Sequence, residues 1–190
     1  MKILFAQAFI PIYIKYGGEL RVRRFVEFLR TKGEMDLLTL ERVKDTMDEE
    51  YIRQNFNKHH ALDALGKPIN QWMKWYHQLP YQLAQLYNET TQKEICRLVE
   101  ENQYDLIFVS KLYPAAYFLN LPKKWHSRII LDFDDILSDL FKNYYKNFFT
   151  SQKNSYFLRR YEQLCLQRFK KLFICSSEAF SKVGACQDSD

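Results

Sequence analysis

The first forty residues carry the pattern that most restricts what this chain can fold into. The short apolar stretch KILFAQA (2–8) is typical of a buried parallel strand. After a loop that ends in two glycines, apolar residues repeat at helical spacing from Val22 to Leu29, and MDLLTL (35–40) is a second strand pattern. Gly33 stands where a helix C′ residue is expected. This order predicts one βαβ unit with a right-handed crossover and parallel strands.

Strand and helix patterns keep alternating along the rest of the 190 residues. We predict three further strands, at 104–110, 127–133 and 170–177, and helices at 81–102, 113–122, 134–149 and 152–169. The charged stretch 41–80 reads as helical or partly loop, with a short aromatic helix between Pro68 and Pro80. The alternation predicts an α/β fold, a doubly wound Rossmann-like parallel sheet of five strands. We expect one domain over 1–183 and a short tail over 184–190.

Ligands of such sheets bind outside the carboxyl ends of the strands. The residues to consider as a site are therefore the ones that directly follow each predicted strand. They lie in four segments: Gln7 to Gly18, Lys111 to Tyr113, Asp132 to Asp135, and Ser176 to Glu178.

Gly17 and Gly18 precede the first predicted helix and allow two interpretations. Backbone N–H groups at a helix start, with no side chain in the way, suit a phosphate. The alternative is a simple turn that needs a positive φ angle. The sequence contains neither G-x-G-x-x-G nor G-x-x-x-x-G-K-[ST], so the usual dinucleotide and P-loop motifs are not supported.

Three acids crowd the end of the fourth predicted strand in SRIILDFDDILSDLF (127–141). In an extended chain Asp132 and Asp134 share a face, and they are candidates to bind substrate hydroxyls or to act as acid/base groups. We interpret Asp135 as an N-cap or first-turn acid of the next helix. We predict no metal site, because no second ligand cluster accompanies the acids and the four cysteines lack C-x-x-C spacing.

The chain is mildly basic, with a net charge of +5. Residues 142–182 carry nine Lys or Arg against two Glu, with aromatic residues between them. The plain interpretation is two helices with solvated basic faces. A functional one is contact with an acidic membrane surface through 142–171. No recognisable module supports nucleic-acid binding. Because no stretch approaches the ~20 apolar residues of a membrane span, we expect a cytoplasmic protein, with peripheral association at the inner membrane face as a variant.

These segments together resemble a known family. MKILFAQAFIPIYIKYGGELRVRRFVEFLRTKGEMDLLTL (1–40) resembles the opening of retaining GT-B glycosyltransferases of family 4. Those begin with a strand, a Gly-Gly loop, a helix that often bears an arginine, a Gly and a second strand. YDLIFVS (104–110), RIILDFDDILSD (128–139) and FKKLFICSSEAFSKV (169–183) resemble later parts of the same N-terminal domain. The D-x-D-D string is also similar to the metal-binding D-x-D of GT-A enzymes, but those have a differently arranged fold.

The resemblance implies the N-terminal, acceptor-binding half of a transferase that moves a sugar from a nucleotide-sugar to a glycan or lipid-linked acceptor. It implies no cofactor beyond the nucleotide-sugar co-substrate. The donor-binding domain with its E-x7-E element has no counterpart in these residues, so this half alone is expected to be inactive or nearly so. A separate donor-domain chain is then an expected partner.

By the same resemblance, Gly17 and Gly18 approach the donor diphosphate. Asp134 stands roughly where many members have a functional His, and Asp132 is the second catalytic candidate. The acceptor side would contain Lys111, Tyr113, Ser176 and Glu178. Two alternatives stay open: a non-catalytic Rossmann-like module that binds a protein partner or a membrane surface, and a small phosphate-ligand enzyme complete in one domain.

Overall fold

The computed structural model describes residues 1–10, 17–62, 87–142 and 148–174. Six strands lie in these ranges: β1 (Lys2–Gln7), β2 (Glu34–Thr39), β3 (His59–Ala61), β4 (Leu106–Ser110), β5 (Ile129–Phe133) and β6 (Lys171–Ile174). The helices are α1 (Gly17–Arg30), α2 (Thr46–Asn55), α3 (Glu89–Asn102), α4 (Leu112–Leu119), α5 (Lys123–His126), α6 (Leu137–Lys142) and α7 (Phe148–Arg168).

All six strands form one parallel sheet in the order β3-β2-β1-β4-β5-β6. Successive strands first run outward from β1 to β3, and the chain then returns to add β4 on the other side of β1. The topological switch point therefore lies between β1 and β4, and open α/β sheets bind ligands outside the carboxyl ends of their strands at such a point. The fold is the predicted Rossmann-like α/β sheet.

The sixth strand, β3, was not predicted. Its three residues are polar or small, and the flanking sequence is charged, so the apolar run that indicates a buried strand is missing. It forms because His59 pairs with Leu37 at the sheet edge, where one side of a strand stays open to solvent. The two histidines are half-buried in this position.

Alternate residues along the strands pack into two hydrophobic cores, one on each face of the sheet. Leu4 and Ala6 of β1 belong to the larger core, which also takes apolar residues of α3, α4 and α7. Ile3 and Phe5 belong to the smaller core, under α1 and α2. This alternation with period two makes the three-layer architecture, with helices on both sheet faces.

Gly33 has a role other than the predicted helix C′ residue. Helix α1 already ends at Arg30, and Gly33 does not have the positive φ of a left-handed cap. A Cβ at this position would lie 1.9 Å from the backbone oxygen of Met1. Glycine is thus needed because the start of β1 passes directly against it.

Several predicted segments fall outside the described residues. These are the aromatic helix between Pro68 and Pro80, residues 81–86 of the predicted third helix, residues 175–177 of the last predicted strand, and the tail 184–190. Within the described ranges, no helix is both long and apolar enough to cross a membrane.

Candidate functional site

The carboxyl edge of the sheet, next to the switch point, brings together side chains from three parts of the chain. Helix α1 begins at Gly17, Lys111 directly follows β4, and Asp132 and Asp134 lie at the end of β5. These are the residues that sequence order had placed after separate strands, and the parallel sheet joins them at one edge.

The glycine pair serves close packing rather than an unusual backbone conformation. Neither Gly17 nor Gly18 has a positive φ, so the simple-turn interpretation is wrong. A Cβ at Gly18 would lie 2.6 Å from Asp134 Oδ2 and 3.1 Å from Lys111 Nζ, whereas a Cβ at Gly17 would meet open space. Of the pair, only Gly18 is in close contact: a Cβ there would have to displace the ends of the Asp134 and Lys111 side chains, and glycine lets the first turn of α1 approach the Asp134 carboxylate.

Arg21 is the cation that sequence analysis did not single out. Its Nη2 and Nε lie 2.5 Å and 2.9 Å from Asp132 Oδ1, and its Nε lies 3.9 Å from Asp134 Oδ1. Asp132 and Asp134 thus face the same guanidinium, as their alternation in the sequence had indicated. The available signal was position, because Arg21 stands one turn after Gly17 on the same helical face.

Asp132 is fully buried. Desolvation raises the pKa of its carboxyl, although the Arg21 hydrogen bond and charge act in the opposite direction. Oxygen Oδ1 accepts both Arg21 bonds, while Oδ2 has no hydrogen-bond partner among the described residues. The carboxylate is therefore only half satisfied by the groups around it.

Lys111 has a backbone conformation that non-glycine residues rarely adopt, with φ 70° and ψ 169°. Such a conformation costs about 1–3 kcal/mol. Two contacts hold it: the Lys111 N–H donates to the Asp132 carbonyl oxygen at 3.0 Å, and Nζ lies 3.2 Å from Asp134 Oδ2. The strain thus turns the ammonium group toward the start of α1, and backbone strain of this kind often marks a functional position.

A cleft of about 390 Å³ opens beside these charges. Its polar lining consists of Lys111, Tyr113, Asp134 and Asp135. The apolar wall is made by Leu112, Leu137, Leu140 and Phe141. Sequence analysis named Lys111, Tyr113 and Asp134 as site residues, but it did not predict the contribution of α6.

The predicted capping role of Asp135 is wrong. Helix α6 begins at Leu137, and Asp135 lies at the rim of the cleft. The acid that satisfies the helix start comes from α7: Ser138 donates its N–H to Glu162 Oε1 at 2.9 Å and its hydroxyl to Oε2 at 2.6 Å. Burial raises the pKa of Glu162. This contact fixes α6, and with it the apolar cleft wall, against α7.

Two other predicted site residues, Ser176 and Glu178, lie outside the described residues. Among the described side chains, no three His, Cys, Asp or Glu residues converge as ligands of a metal ion. Two of the three carboxylates of the site are instead paired with cations, Asp132 with Arg21 and Asp134 with Lys111.

Fold and site define a class: a Rossmann-like α/β domain with a charged cleft at the carboxyl ends of β4 and β5, next to its switch point. No protein-family model matches the sequence, and a search of curated proteins finds no match either. The function must therefore be argued from the site itself.

Proposed function

We propose that the chain is the acceptor-binding half of a GT-B glycosyltransferase. In this proposal it acts with a donor-binding domain to move a sugar from a nucleotide-sugar to a glycan or lipid-linked acceptor. The observation that carries the proposal is the close approach of Gly18 to Lys111 and Asp134, two residues that line the cleft. The order strand, Gly-Gly, helix and later strand-end acid resembles the order in that family, although Asp134 stands roughly where many members have a functional His.

The charge balance supports an uncharged, hydroxyl-rich ligand in the cleft. Two cations, Arg21 and Lys111, stand beside three carboxylates, Asp132, Asp134 and Asp135. A phosphate placed among these carboxylates would meet a like charge, whereas sugar hydroxyls would find strong hydrogen-bond acceptors. The aromatic and aliphatic wall offers the apolar surface on which a sugar ring packs.

In the proposed mechanism, Asp134 accepts a hydrogen bond from the acceptor hydroxyl and orients it for attack. Lys111 holds that carboxylate in position through its ammonium group. Gly17, which has open space beyond its Cα, leaves the positive end of α1 accessible to the diphosphate. The second domain supplies the nucleotide contacts, and no cofactor is required.

The test is a saccharide titration followed by a transfer assay. The chain is titrated calorimetrically with methyl glycosides and short oligosaccharides. It is then mixed with the separately produced donor-binding partner and a radiolabelled nucleotide-sugar panel. We expect saccharide binding by the chain alone and transfer only in the mixture. Asp134→Asn should weaken binding at least tenfold, whereas the control Asp139→Asn, an exposed acid of α6 outside the cleft lining, should not.

Absence of saccharide binding by the chain, or absence of sugar transfer in the mixture, would contradict the proposal. Binding to anionic vesicles without any saccharide binding would favour the alternative of a non-catalytic module at a membrane surface. Hydrolysis of a nucleotide-sugar by the chain alone would favour a one-domain enzyme.

A further inference from the structure

Three neighbouring strands end in polar side chains that point to the same face of the sheet. Gln7 is the last residue of β1, Ser110 the last of β4, and Asp132 the fourth of β5. Ser110 pairs with Asp132, and Gln7 follows the pair Ala6–Val109, so it lies next to Ser110. We call these three residues the polar row.

The polar row faces α1. Gln7, Ser110 and Asp132 share their strand parity with Phe5, Phe108 and Ile130, which belong to or pack against the core under α1. The hydrogen bonds from Arg21 of α1 to Asp132 confirm this orientation. Adjacent strands lie about 4.8 Å apart, so the three side chains are within reach of one small ligand.

Each member of the row has a buried polar atom without a hydrogen-bond partner in the part of the chain that the structure describes. The atoms are Gln7 Oε1, Ser110 Oγ and Asp132 Oδ2. Their residues are 8%, 1% and 0% exposed. Burying a polar atom without a hydrogen bond lowers the stability of the fold. We therefore expect the three adjacent atoms to bind a common hydrogen-bond partner.

The donors and acceptors of the polar row determine which hydrogen-bonding group the partner must carry. An amide oxygen and a carboxylate oxygen accept hydrogen bonds, and a serine hydroxyl donates one. We propose that the polar row is a binding site for a single O–H group of water size. A water molecule would satisfy all three atoms, because it can donate to Gln7 and Asp132 and accept from Ser110. Three hydrogen bonds are typical of buried waters.

The same chemistry has two sources, bulk water and the hydroxyl of a bound sugar. The row lies at the strand ends that Lys111 and Asp134 directly follow, so a sugar bound in the cleft would approach it from that side. The water source is independent of the proposed function, whereas the sugar source rests on it.

The first test is the stability of Ser110→Ala, measured by urea denaturation. If an O–H group bridges the row, the loss of the serine hydroxyl lowers the folding equilibrium constant about tenfold. If the three atoms are unpaired, removing one of them leaves stability unchanged or raises it, and the proposal fails. Ser138→Ala is the matched control, because that buried hydroxyl has a known partner in Glu162 and must show the tenfold loss.

The second test identifies the source by water–amide NOE spectroscopy. We expect a long-lived water near the backbone amides of Ser110 and Asp132, and its loss in Ser110→Ala. Methyl α-glucoside is then added at saturation. Persistence of the water signal assigns the site to water, and its displacement assigns the site to a sugar hydroxyl. Absence of a bound water in the free wild-type protein would overturn the proposal, and failure of glucoside binding alone would contradict only the proposed function.

Discussion

Two buried aspartates at opposite ends of the sheet have very different hydrogen-bond and charge partners. Asp36 lies in β2 near the amino ends of the strands and accepts a 2.8 Å hydrogen bond from the buried Tyr104 hydroxyl. His60 of the neighbouring strand stands 3.9 Å from the same oxygen. Asp132, at the carboxyl ends, pairs with Arg21 through one oxygen and leaves the other without a described partner.

The two clusters differ in backbone geometry and surroundings, although each contains a buried polar atom without a hydrogen-bond partner among the described residues, His60 Nε2 in the first and Asp132 Oδ2 in the second. Around Asp36 the backbone is regular, and burial together with the Asp36 hydrogen bond raises the pKa of Tyr104, so the hydroxyl stays a donor. Around Asp132 there is backbone strain at Lys111, an incompletely paired carboxylate and a cleft. Backbone strain and incompletely paired polar groups cost stability, and contacts with a ligand can offset that cost. The carboxyl edge is where α/β sheets bind ligands.

The largest effect should come from Arg21→Met. The substitution leaves the fully buried Asp132 without its cation, which should cost about 3 kcal/mol at neutral pH, measured by urea denaturation. Arg24→Met is the matched control on the same helix, because Arg24 pairs only with the exposed Glu27 in the contacts described, and it should change stability by less than about 0.5 kcal/mol.

The deficit of Arg21→Met should depend on pH with a defined sign. The pKa of Asp132 is already raised in the folded protein, and removing Arg21 raises it further. A carboxyl with a raised folded pKa favours folding when protonated, so the deficit should shrink as the pH falls toward about 4. A deficit that stays constant between neutral and acid pH would mean that lost packing, not the buried charge, causes it.

At the other end of the sheet, Tyr104→Phe should cost about 1–3 kcal/mol, because it leaves Asp36 buried without its donor. The double variant Tyr104→Phe, Asp36→Leu removes both polar partners and should recover most of that loss. Thermal or urea unfolding of the two variants checks this. If the double variant is less stable than the single one, the cluster has a role beyond mutual hydrogen bonding.

The contrast between the two ends also explains what the sequence could predict. Apolar runs such as KILFAQA and IILDF report burial on both faces, so five strands, their parallel arrangement and the site edge followed from sequence periodicity. The edge strand β3 was missed because three polar or small residues carry no such signal. Its existence depends on pairing with β2, which is a tertiary effect.

The site could be predicted only in outline. Its residues follow strand ends, and this placed Lys111, Asp132 and Asp134 correctly near one another. The role of Gly18 could not be deduced, because it depends on a side chain 116 positions away coming within 2.6 Å of its missing Cβ. The Glu162 contact to the start of α6 is also long-range, so a nearby acid, Asp135, was taken for the cap.

A smaller effect tests the strain at Lys111. Lys111→Gly and Lys111→Ala both remove the ammonium group from the cleft, but only glycine adopts φ 70° and ψ 169° without strain. Relief of about 1–3 kcal/mol is offset by roughly 0.5–1 kcal/mol of added backbone entropy in the unfolded chain. We expect Lys111→Gly to be about 1 kcal/mol more stable than Lys111→Ala by urea denaturation. Equal stability would show that the conformation relaxes at no cost.

Substitutions in the glycine pair should change stability least. They should also distinguish an effect on stability from an effect on the geometry of the site. Gly17→Ala adds a methyl group in open space and should stabilise the first turn of α1 by a few tenths up to about 1 kcal/mol. Gly18→Ala gains the same helix preference but must displace the Asp134 carboxylate, so its net stability should change by less than about 0.5 kcal/mol. Saccharide titration should then distinguish the two: Gly18→Ala should bind at least tenfold more weakly because Asp134 no longer meets Lys111, while Gly17→Ala binds like the wild type. Identical titrations would mean that the close approach of α1 to Asp134 does not shape the cleft, and that the carboxyl edge tolerates rearrangement as readily as an ordinary surface.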